Sequence, residues 1–227
     1  MRPLWLSALG ALTLVTFVGS AVAQTTPAVL NSLEVQELIK RAEPADHARL
    51  EAHFSVLAEQ YAAEAKRHNA MGQAFIASPI RRTPANSAAD HCKRLERLNL
   101  ESAATLRELA AYHKGLAAGK VAEPPRGATP FEKGAGASTP TAAALTALAG
   151  KASTAADHHA LHEYFQSLAT RYTADAKVHA ADAQAYQGTR IAQAAAHCTR
   201  LVTLSRESAK EATAAAAMHQ KLAGEAK

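Results

Sequence analysis

The sequence predicts an all-α protein: an internally duplicated helical hairpin that closes into a four-helix bundle, each hairpin preceded by a short helix. Three observations carry this. The passage His-Cys-x-Arg-Leu-x-x-Leu, then x-x-Glu-Ser-Ala, occurs at 91–103 and again at 197–209. Apolar residues recur at spacings of three and four over long stretches, which puts them on one helix face. Alanine is abundant and aromatics make up 5% of the chain, while glycine and proline gather in a few places, a composition that favours helices packed through small side chains.

Residues 1–23 carry one basic residue, Arg2, then an apolar run from Leu4 to Val18, then Ala21-Val22-Ala23 before Gln24. This reads as a cleaved signal peptide. The run is shorter than the ~20 residues of a membrane span, and no cysteine stands at the cleavage point to take a lipid. The expected location is periplasmic or secreted, after cleavage near Ala23.

Residues 24–118 form the first repeat. An irregular start at 24–31 leads into a short helix at about 32–41, with Leu33, Leu38 and Ile39 as apolar contacts. Glu43-Pro44-Ala45-Asp46 restarts the chain, since proline suits the first helical position and an acid in the first turn meets the helix dipole. A long helix over about 45–76 carries His47, Leu50, Phe54, Leu57, Tyr61, Ala65 and His68 on its inner stripe. After a turn at 77–84, a second long helix over about 85–118 carries His91, Leu95, Leu98, Ser102, Leu106, Leu109, His113 and Leu116. Residues 119–140, with Pro124-Pro125, Gly127, Pro130, Gly134, Gly136 and Pro140, are a linker. Residues 141–227 form the second repeat: a short helix over 141–150, a capping box at Thr154-x-x-Asp157, a long helix over about 156–187 and, past a shorter turn, another over about 190–224. Its stripes repeat the first copy as His158, Leu161, Phe165, Leu168, Tyr172, Ala176 and His179, then His197, Leu201, Leu204, Ser208, Ala212, Ala215, His219 and Leu222.

Of eleven histidines, eight match between the copies: 47/158, 68/179, 91/197 and 113/219. His47 and His68 lie ~32 Å apart along their helix and His91 and His113 ~33 Å along theirs. In an antiparallel hairpin His68 therefore faces His91 near the turn, and His47 faces His113 near the open end. If the hairpins pack with their turns at the same end, two layers result. The turn-end layer would hold His68, His91, Cys92, His179, His197 and Cys198. The open-end layer would hold His47, His113, His158 and His219, with His162 one turn beyond His158 and with Asp46 and Asp157 supporting the ligands from behind or simply starting their helices. Imidazole with thiolate suits zinc or copper, and imidazole with carboxylate suits zinc, iron or manganese; Met71 would add a soft ligand suited to Cu(I), with Asp182 as its counterpart. No HExxH, CxxC, CxxCH or ExxH motif is present.

The cysteines carry a competing expectation. In an exported protein Cys92 and Cys198 would form a disulfide, provided their helices are neighbours, because the Cα atoms must come within ~7 Å. Tyr61 and Tyr172 are expected as core aromatics with bonded hydroxyls, and Arg94 and Arg200 as surface residues pairing with Glu101 or Glu207.

The net charge of +5 is spread along the helices and gives no basic stripe for nucleic acid. No activated nucleophile or phosphate loop points to an enzyme. The leading reading is an exported, soluble, non-enzymatic metal-binding bundle for copper or zinc storage, delivery or protection, its affinity falling below about pH 6 as imidazoles protonate and vanishing when His91 and His197 are both replaced. The second is a structural or partner-binding helical module, with another periplasmic protein as its partner, a Cys92–Cys198 disulfide and no metal. Non-covalent haem ranks last. The protein is expected as a monomer or homodimer, not embedded in a membrane.

Overall fold

The computed structural model describes residues 29–78, 85–118 and 140–226. The expected signal peptide and all of the linker except Pro140 lie outside the described residues. Six helices are found among the described residues, and no strands: α1 (Ser32–Arg41), α2 (Pro44–Ala77), α3 (Ala85–Ala117), α4 (Ala142–Lys151), α5 (Ala155–Tyr186) and α6 (Ala194–Glu225). The chain is an all-α, duplicated helical bundle, with each hairpin (α2–α3 and α5–α6) closely packed.

Local chemistry sets the helix starts. Asn31 and Glu34 form a reciprocal capping box at α1. At α2, Pro44 opens the helix and Asp46, at the third position, accepts from the Glu43 backbone N–H (3.3 Å) and pairs with Arg41 (2.7 Å). At α5, the Thr154 hydroxyl accepts the Asp157 N–H (3.1 Å) while the Asp157 carboxylate takes the Thr154 N–H (3.2 Å). Both acids are thus helix-start residues with their oxygens committed to cap and ion-pair partners. Thr154→Ala is expected to cost about 1 kcal/mol, read as a lower urea midpoint with an unchanged slope. The last helix begins four residues later than its periodicity suggests. The turn around Gly188, at φ +79°, and the short-range bonds of 189–196 occupy that stretch, a backbone conformation that glycine adopts without steric cost.

The two hairpins meet head to tail. His113, at the open end of the first, lies 2.7 Å through Nε2 from the Tyr186 hydroxyl at the turn end of the second. Reciprocally, the ring of His219 stacks on Phe75 at the turn end of the first, with centroids 5.7 Å apart. Tyr186 and Phe75 stand 111 places apart, as do Asp157 and Asp46. The contact is therefore made twice, with the copies exchanged, as across a twofold axis. Around the bundle the order is α2, α3, α6, α5, so every long helix runs antiparallel to its neighbours and opposes their dipoles. The 22 residues of 119–140, at ~3.3 Å each, can span the ~50 Å length of such a helix.

Leu50, Phe54, Leu95, Leu106 and Leu109 of the first hairpin and Leu161, Phe165, Tyr172 and Leu201 of the second are buried. Across the seam between α3 and α6 the helices pack directly. The α2–α5 seam is wider and is bridged by side chains and by the two short helices. Helix α1 packs mainly on α5 and α4 mainly on α2, so each leading helix lies chiefly against the other hairpin. Val35, Leu38 and Ile39 of α1 are buried there, while Leu33, an expected contact, is 73% exposed. No helix among the described residues is long and apolar enough to cross a membrane.

Candidate functional site

Head-to-tail packing separates the groups that packing with both turns at one end would have gathered. Four of the expected residues meet as two pairs. Nδ1 of His47 lies 3.1 Å from Nδ1 of His113, and Nδ1 of His158 lies 3.3 Å from Nδ1 of His219. All four rings are buried. Each pair joins the two long helices of one hairpin at its open end, as the helix heights require, and each meets an aromatic near the end of the first long helix of the opposite hairpin, Tyr186 or Phe75.

The surroundings of the two pairs differ at Nε2 and at the ring edge, where Tyr112 packs on His113 and Met218 stands at the equivalent place in the other copy. His113 has Tyr186 at its Nε2, whereas His219 has Phe75, and its Nε2 finds no hydrogen-bond partner. Phe54 stacks on His113 and Phe165 on His219. Burial, helped by the neighbouring imidazoles, pushes His113 and His219 down to about 3. Burial also lowers His47 and His158, against the pull of Asp46 and Asp157. At neutral pH these rings are uncharged and keep a lone pair available.

The remaining expected ligands go elsewhere. His68 stacks on Phe165 (centroids 6.3 Å), 3.5 Å through Nε2 from Glu64, and so turns toward α5 and not toward His91. His179 is buried with Nδ1 unbonded. Burial brings both rings down to about 4. His91 is half-buried on the α3–α6 seam and is bonded to Glu211, which also takes Arg94 at 2.8 Å. His197 lies 3.5 Å from Glu108. These are cross-hairpin polar links, and Arg94 accordingly pairs with Glu211 and not with Glu101. His162 Nδ1 lies 3.0 Å from the Ala216 carbonyl. Met71 is buried in the core.

The disulfide is a correction. Helices α3 and α6 are neighbours, which met the expected condition, yet Cys92 and Cys198 are free buried thiols. Because α3 and α6 run antiparallel, with His91 beside Glu211 and His197 beside Glu108, the two cysteines lie on either side of the middle of the bundle, roughly 20 Å apart, far beyond disulfide reach. Burial pushes the Cys92 thiol up to about 12 and that of Cys198 higher still. At Cys92 the α2–α3 approach is tight enough that a Cβ on Gly72 would lie 3.4 Å from the cysteine Cβ.

Sequence reasoning passed over a polar layer at the α2–α5 seam. Glu64 is buried and accepts from Arg67 (2.8 Å), Arg171 (3.2 Å) and Tyr164 (3.0 Å). Burial alone would raise its carboxyl, but Arg171, His68 and Arg67 more than offset this and hold it below its ordinary value. Tyr61 donates to Asp175 (2.9 Å) and Tyr172 to Asn99 (3.0 Å), as expected of core tyrosines with polar partners. The available signal was the matched acids Glu64 and Asp175, 111 places apart on faces otherwise apolar.

Among the described residues, no group of three or more His, Cys, Asp and Glu side chains is placed to hold a metal ion. Compared with known families, with curated proteins and with solved structures, the chain matches none.

Proposed function

We propose that the protein is an exported, non-enzymatic metal-binding bundle that holds one cuprous ion at each histidine pair. The observation that carries this reading is the pair itself: two buried, uncharged imidazoles presenting Nδ1 to Nδ1, repeated at both ends. Zinc asks for a tetrahedral set, and each pair offers two nitrogens. Cuprous copper accepts two ligands in line, and imidazole suits it. Metal–nitrogen bonds of about 2 Å would need the nitrogens about 4 Å apart, so the rings must part by less than about 1 Å. Both rings would then carry their proton on Nε2. Tyr186 accepts that proton's hydrogen bond at His113, as outer-shell partners of metal-bound histidine do. His219 has no such partner, so the His47–His113 site is the tighter of the two. The leader at 1–23 supports export.

Anaerobic titration of the purified chain with Cu(I), against a chromophoric chelator, is expected to give two equivalents per chain. H47A/H113A should remove the tighter equivalent and H158A/H219A the weaker one, while replacing His91 and His197 should remove neither. Because the buried rings keep low pKa values, affinity is expected to persist below pH 6 for as long as the bundle stays folded. Unchanged stoichiometry in the fourfold variant, or no stoichiometric copper at all, refutes the reading.

The second reading is a partner-binding helical scaffold. It is favoured by the satisfied contact each pair already makes between its own rings, and it predicts melting indifferent to chelator and copper. Haem is the reading the geometry favours least, since rings in direct contact leave no slot for a macrocycle.

A further inference from the structure

The twofold relation gives most residues of the α2–α5 seam a counterpart 111 places away, and the two halves differ most around the Glu64 and Asp175 carboxylates, where Tyr164 answers to His53. On one side the Glu64 carboxylate is held by Arg67, Arg171 and Tyr164. Its counterpart is Asp175. Where Arg67 and Arg171 stand, the other half has Val178 and Gln60. The carboxylate is one methylene shorter, and both guanidinium positions are lost. The bond it has is the Tyr61 hydroxyl at 2.9 Å. Arg171 also acts on it electrostatically, but that guanidinium is bonded to Glu64.

In place of the missing side chains there is a cavity of about 380 Å³, which Val178 and Gln60 line together with Tyr61, Asp175 and His179, with Leu30 and Val35 closing it from the α1 side. This is the usual size of a small-molecule site, and its lining is mostly apolar. His179 lines the cavity as well and is 3% exposed.

We propose that this cavity binds a small organic cation with an apolar body, its ammonium or guanidinium group paired with Asp175 where the other half of the molecule places its own arginines beside Glu64. The hydrocarbon part lies against Val35 and Val178, beside the neutral His179 ring. None of these residues belongs to the histidine pairs, so the proposal stands apart from copper binding.

Calorimetric titration of the full chain at neutral pH with benzylamine, benzyl alcohol and benzoate tests it. Benzylamine is expected to bind, roughly tenfold or more tighter than the other two, the margin of a charge-assisted contact. Asp175→Asn should remove that preference. Val178→Arg, which restores the arginine of the other half, should fill the cavity, abolish binding and raise the melting temperature, so a folded, more stable variant reports the loss. Equal affinity for amine and alcohol, binding indifferent to both substitutions, or no binding of benzylamine at about 10 mM would each overturn the proposal.

Discussion

Acidification from pH 7 to pH 4 is expected to unfold the bundle, with the helical circular dichroism at 222 nm lost cooperatively between those values. Burial brings His53, His68 and His179 down to about 4, and His113 and His219 to about 3, whereas in the unfolded chain all five titrate near the ordinary 6.5. Between those limits the unfolded chain binds more protons than the folded one, so stability falls as the pH falls. It is whole above pH 6.5 and declines steadily below. A tenfold shift in a protonation equilibrium corresponds to about 1.4 kcal/mol, so five such rings together are comparable with the ~5–15 kcal/mol that holds a typical domain together. Glu64, held below its ordinary value, acts in the same direction at lower pH. Asp175 and Asp182, both raised by burial, act in the opposite direction but are outnumbered. Replacing His68 and His179 by phenylalanine, which keeps a ring at both positions, should move the midpoint to lower pH. Full helicity and an unchanged melt at pH 4 would contradict this account of the buried rings.

Asp182→Met is expected to stabilise the protein by about 2–4 kcal/mol at pH 8, or roughly 5–10 °C in melting temperature. Asp182 is 1% exposed, and its Oδ1 has no hydrogen-bond partner. Burial pushes the carboxyl up to about 7, so above that pH the fold carries a poorly compensated buried charge. The methionine is already present at the corresponding place in the other half, where Met71 is fully buried. The pH dependence identifies the cause. A carboxyl whose folded pKa is raised loses stability as the pH rises from about 4 through 7, so the gain from methionine should shrink at pH 5. Differential scanning calorimetry at the two pH values distinguishes this from simple repacking, which would give the same gain at both.

The helices and their duplication were legible because periodicity records which face is buried. The inner stripes of α2, α3, α5 and α6 came out within a few residues at every end but one. The pairing of His47 with His113, and of His158 with His219, was legible too, since height along an antiparallel hairpin follows from counting residues. The direction in which one hairpin lies on the other was not. An apolar stripe reads alike from either end, and what distinguishes the ends here is contact between residues more than seventy positions apart, such as His113 with Tyr186. That single unknown misplaced His91, His197 and both cysteines, and it hid the layer in which Glu64 meets Arg171. His91 and His197 also sit on the edge of the stripe, where it faces the α3–α6 seam and glutamates outcompete other histidines for the ring.

A symmetric assembly of two identical hairpins could reach the same arrangement, but any amino-acid change would then be felt in both halves at once. Joining the copies in one polypeptide lifts that constraint. Tyr186 can differ from Phe75, Asp182 from Met71, and Val178 from Arg67, each without altering its mate. The covalent tie thus gives a twofold scaffold the freedom to evolve two dissimilar ends.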